Sequence, residues 1–196
     1  MRKTFLLLLL GLAIIGCKDN PVSQKISEAK KEVTGVTKAM KEMHDMKGDI
    51  EGLAEVEPLS NEELKALLPE QIGGLTRTGF HTGEGAMLGV ASINGSYATE
   101  DQEKSVTINI IDGAGATGAS VLVGIRMMLS QDFEKEDQYV SEKTITRKGV
   151  KAIVEKDKTS PGSRIKYLHD NRFFVDAEGH GVEADELWTI LDRLKF

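Results

Sequence analysis

Along the first third of the chain, Ile26, Ala29, Val33, Val36, Met40 and Met43 recur at alternating spacings of three and four residues, the stripe of an amphipathic helix. The stripe spans fewer than three heptads and meets Lys47 at its next position; Gly48 and Gly52 then weaken the helix ahead of Pro58. The pattern predicts a helical stalk and linker ending at residue 57 and a globular domain over residues 58–196.

Within that domain, Ser60 and Glu63 have the spacing of a capping box, and Leu64, Leu67 and Leu68 give one apolar face to a short helix stopped by Pro69. Alternating segments follow at Leu75–His81, Ala86–Thr99 and Lys104–Asp112. In the last of these, Val106, Ile108 and Ile110 take one face while Thr107 and Asn109 take the other, which indicates antiparallel strands with one wet face. Gly118–Phe133 is the longest apolar run, with Arg126 its single charge before Asp132. A helix apolar nearly all round should be covered on more than one side.

Four more strands are expected at Tyr139–Arg147, Val150–Lys156, Arg164–Leu168 and Arg172–Glu178. They are separated by Lys148-Gly149, Ser160-Pro161-Gly162 and the tight-turn pair Asp170-Asn171. Leu187, Trp188, Ile190, Leu191 and Leu194 then form one face of a C-terminal helix. The predicted class is α+β: an antiparallel sheet of about seven strands flanked by a mid-chain apolar helix and a C-terminal helix. This element order resembles the PsbP-like fold, and order alone implies no function. Leu68-Pro69 with Gly73, and the Gly85–Gly89 turn, are similar to motifs of a group of bacterial lipoproteins to which no activity is attached.

The N-terminus changes the picture most. Arg2 and Lys3 precede an apolar stretch from Phe5 to Ile15, and Ile14-Ile15-Gly16 runs directly into Cys17. This reads as a signal peptide over residues 1–16, since 11 apolar residues are too few for a mature membrane span of about 20. The segment resembles a bacterial lipobox. That resemblance implies that Cys17 becomes the first mature residue, carries a diacylglyceryl thioether and usually an N-acyl chain, and holds residues 17–57 at a membrane. Two or more acyl chains give stable anchoring. Because Lys18 rather than Asp follows the cysteine, an outer-membrane destination is favoured over inner-membrane retention. Cys17 is the only cysteine, so no intramolecular disulfide can form.

Charge narrows the partners. Without Arg2 and Lys3 the chain keeps 23 basic against 31 acidic side chains, a net charge of −8. The mature chain has no basic cluster beyond Lys30-Lys31 and Arg147-Lys148, so a nucleic-acid partner is not expected.

Candidate chemistry is sparse. Gly113, Gly115 and Gly118 have the spacing of a dinucleotide-binding loop between a strand and a helix. Against that, the preceding strand alternates rather than being buried on both faces, and no acidic residue ends the following strand. Glycines and alanines that let a helix lie close on a sheet are the competing explanation. Met40, Met43 and His44, with Met46 adjacent, could offer soft ligands to copper(I), yet Met40 and Met43 also sit in the helical stripe. His180 lies among Glu178, Glu183 and Asp185 without a second histidine nearby in sequence, while His81 and His169 read as solvated. No nucleophile motif is present, and no cofactor is implied.

The expected function is a non-enzymatic binding or assembly module on a lipid-anchored envelope protein, with an envelope protein or a small ligand as partner. The alternative is a metal-handling or nucleotide-binding protein using the histidines or the Gly113–Gly118 loop. Any ligand pocket is expected where the apolar helix around Val121–Leu129 meets the sheet.

Overall fold

The structure, a computed structural model, describes residues 47–83 and 89–196. The stalk residues Met40, Met43 and His44, the leader and Cys17 lie outside the described residues, as does the Gly85–Gly89 turn except for Gly89. One antiparallel sheet organises the domain, in the order β1-β2-β3-β4-β9-β8-β7-β6-β5. Its strands are β1 (Gln71–Ile72), β2 (Leu75–Thr82), β3 (Ser92–Ala98), β4 (Ser105–Asp112), β5 (Glu134–Glu136), β6 (Val140–Arg147), β7 (Val150–Asp157), β8 (Gly162–His169) and β9 (Phe173–His180). The helices are α1 (47–54), α2 (Asn61–Leu67), α3 (Gly115–Ser130) and α4 (Ala184–Leu191).

The sheet has nine strands instead of the expected seven. The two additional ones are its edges. β1 returns into β2 through Gly73 and Gly74, which take φ +58° and +88°, and β5 pairs with β6 over only three residues. Both are too short to show alternation. The third strand begins at Ser92, six residues later than expected. α3 begins at Gly115, three residues earlier than expected, and ends at Ser130.

Helices cover both faces of the sheet. Adjacent residues on a strand point to opposite faces. Val154, Tyr167 and Val175 accordingly join the cluster of Leu64, Leu67, Leu187 and Ile190 from α2 and α4. Their chain neighbours Ile153, Leu168 and Phe174 join Leu122 and Leu129 of α3. Ile50 and Leu53 pack on this second cluster, so residues read as a glycine-weakened linker form α1. The apolar run is covered less completely than expected: Val123 and Met127 remain 38% and 56% exposed on the outer side of α3. Among the described residues, no helix is long and apolar enough to cross a membrane.

α2 starts with the predicted capping box. The Ser60 hydroxyl accepts from the Glu63 N–H at 3.3 Å, and the Glu63 carboxylate accepts from the Ser60 N–H at 2.8 Å. Ser60→Ala is expected to cost about 1 kcal/mol, read as a shift in urea midpoint with an unchanged slope. A cost near zero would mean that packing of Leu64 and Leu67 alone holds the helix.

Candidate functional site

Arg126 is the one charge in α3, and helical spacing places it on the same side of the helix as Leu122 and Leu129, the side that faces the sheet. The turns opposite are built by their sequences. Lys148 and Gly149 adopt φ +51° and +83° to close the β6–β7 hairpin, and Asp170 and Asn171 take +46° and +55° to close β8 onto β9. Between the last turns of α3 and these two hairpins lies a groove of about 410 Å³. Leu129, Val150 and Leu168 supply its apolar wall; Arg126, Lys151, Ser130, Asp170 and Asn171 supply its polar rim. Its volume falls in the usual range for small-molecule sites.

The Arg126 side chain is only 10% exposed. Its Nη2 donates to the Asn171 carbonyl at 2.7 Å, and its Nη1 reaches the half-exposed Asp49 carboxylate of α1 at 3.3 Å. Its Nε–H is enclosed and meets no acceptor, the only buried side-chain nitrogen or oxygen in that state among the described residues. An unmet buried donor costs about 1–3 kcal/mol, and more on a charged group, so native structures seldom leave one. Lys151 Nζ donates to the Ser130 carbonyl at 2.9 Å and to Asp132 at 2.7 Å.

A second cleft, of about 270 Å³, opens on the opposite face beneath the end of α4. Tyr167 and Trp188 form its floor with ring centroids 5.3 Å apart, and Arg147 lies 4.6 Å over the Trp188 ring. The Arg147 guanidinium grips Asp192 through two bonds of 2.9 and 2.8 Å, which holds that carboxyl down at about 2. Burial pushes the Tyr167 hydroxyl up. His169, expected to be solvated, instead stacks on Phe196 at 4.0 Å.

The Gly113–Gly118 loop does join β4 to α3, and the close approach its glycines permit is to the chain's own atoms. A Cβ at Gly113 would lie 2.0 Å from Leu122 Cδ1, one at Gly118 would lie 2.8 Å from the Asp112 carbonyl, and one at Gly115 would lie 3.0 Å from Pro58. The Ala114 N–H at the start of the helix is taken by the Asp112 carboxylate at 3.0 Å.

No family model, curated protein or solved structure matches the chain. The geometry therefore stands by itself. His180 ends β9 with a three-quarters exposed side chain, 3.4 Å from Glu178. Among the described residues no three His, Cys, Asp or Glu side chains are grouped to hold a metal.

The groove falls where the helix run meets the sheet, but its polar residues escaped the sequence reading. Arg126 was visible as a lone charge between Leu122 and Leu129, and its inward spacing was the available signal. Lys151 had none, because the register that carries it beside α3 depends on pairings set by the whole sheet.

Proposed function

We propose that the protein is a lipid-anchored component of the bacterial cell envelope, held at the outer membrane through acylated Cys17, whose α+β domain is a non-enzymatic binding module. The groove beneath α3 carries this reading. It is a pocket of ligand size walled by apolar residues, with one buried cation whose hydrogen-bonding capacity is incompletely used. The anchoring half rests on the leader and the single cysteine.

The two halves separate experimentally. Cys17→Ala is expected to abolish incorporation of labelled fatty acid and to move the protein out of the outer-membrane fraction, with the domain's melting transition unchanged. Retention of label by that variant would overturn the anchor. Filling the groove by Leu168→Trp is expected to block binding of small ligands without displacing the protein from the membrane. Undiminished binding in the filled variant would place the binding surface elsewhere.

A further inference from the structure

We propose that the polar end of the groove is an oxyanion subsite, in which Arg126 and Lys151 hold a carboxylate or phosphate group while Leu129, Val150 and Leu168 take a short apolar body attached to it. The proposal rests on the binding role above and names the ligand class for the same groove. Three observations point to it. Of the two cations in the groove lining, Lys151 is already tied to Asp132 at 2.7 Å and to the Ser130 carbonyl at 2.9 Å, which leaves one of its three ammonium donors for a ligand. The guanidinium is fixed from one side by the Asn171 carbonyl, a neutral acceptor, while the enclosed Nε–H beside it has none. The remaining tie, to Asp49, is long at 3.3 Å and its carboxylate is half exposed.

An incoming oxyanion can therefore exchange for the Asp49 carboxylate, one negative group for another, as the guanidinium turns its Nε–H toward the ligand. Arginine suits this step because its planar fork matches paired oxygens in a way an ammonium does not. The apolar wall makes an amphiphile the better fit than a free ion, since an unattached anion would leave Leu129, Val150 and Leu168 facing water.

The test uses the full chain in non-ionic detergent with four soluble probes: hexanoate, hexanol, acetate and inorganic phosphate. Binding is read by calorimetry and by the Arg126 Nε–H resonance, identified by its loss in Arg126→Lys. Hexanoate is expected to bind at least tenfold more tightly than hexanol or acetate and to shift that resonance. Arg126→Lys should weaken hexanoate about tenfold and leave hexanol unchanged. Asp49→Asn should strengthen hexanoate several-fold, a gain that misfolding cannot imitate.

Phosphate binding more tightly than hexanoate would keep the oxyanion subsite but overturn the apolar body. Equal binding of hexanoate and hexanol, with no effect of Arg126→Lys, would overturn the subsite while the binding role survives. If no probe binds the wild-type protein, both fall.

Discussion

Replacing Asp112 with alanine is expected to cost about 3 kcal/mol of folding stability, the lower end of the range for removing one partner of a buried ion pair, because the Arg172 side chain left uncompensated is 23% exposed. Asp112 is fully buried at the end of β4, and its two oxygens accept four bonds. Arg172 supplies two, from Nε at 2.7 Å and Nη2 at 2.8 Å; the Leu59 N–H supplies one at 2.9 Å and the Ala114 N–H one at 3.0 Å. The carboxylate thus ties together the β8–β9 turn, the start of α3 and the stretch where the chain passes from α1 toward α2. Burial by itself would push its carboxyl up. The bonds from Arg172, Leu59 and Ala114 outweigh burial and hold it below the usual carboxylate range.

The sign follows. A carboxyl whose folded pKa is depressed contributes stability that is complete above its unfolded pKa of about 3.9 and is lost as pH falls through the folded value. Wild-type stability should therefore drop on acidification below about pH 4, and Asp112→Ala should lack that part of the drop. Urea unfolding at a series of pH values measures both quantities. Because the two residues share one network, Asp112→Ala combined with Arg172→Ala should cost less than the sum of the single changes. A single-variant cost below about 1 kcal/mol would show the pair to be dispensable.

The residues explain which parts of this architecture could be read from sequence. Alternation in Val106, Ile108 and Ile110 reported a strand with one buried face, because side chains decide such a strand. Ser60 and Glu63 marked α2 for the same reason, since the cap is a local hydrogen bond. β1 and β5 escaped because they are edge pieces of two and three residues held by backbone pairing, which leaves no side-chain pattern. α1 escaped because Gly48 and Gly52 argue against a helix locally, whereas Ile50 and Leu53 are held by the cluster around Leu122, which is distant in sequence.

The groove is a further step removed. Arg126, Val150 and Leu168 come from three segments whose meeting depends on the sheet order, and its informative feature, an unmet N–H, is a property of packed geometry. Composition and spacing drew attention to the glycine loop instead, where the motif is conspicuous and the space is already filled.

That filled space gives the second large effect. Leu122→Ala removes a fully buried side chain from the centre of the cluster under α3 and is expected to cost about 2–5 kcal/mol. Gly113→Ala is expected to cost about 1–3 kcal/mol for the opposite reason, overpacking. Its new methyl would lie 2.0 Å from Leu122 Cδ1, 2.5 Å from Leu122 Cγ and 2.8 Å from the Arg172 carbonyl.

The two changes should then compensate in part. With Leu122 shortened, two of the three clashes vanish and the methyl occupies space the leucine has left. The double variant should be more stable than the summed costs predict, by a coupling of about 0.5–3 kcal/mol. A nucleotide-binding loop makes a different demand: its glycines admit a phosphate, so Gly113→Ala would abolish nucleotide binding, and shortening Leu122 would not repair the stability. Strict additivity in the cycle, together with nucleotide-dependent stabilisation of the wild type, would return the loop to a ligand role. Coupling of the expected sign assigns Gly113 to the seating of α3 on the end of β4, the contact that also fixes where Arg126 stands over the groove.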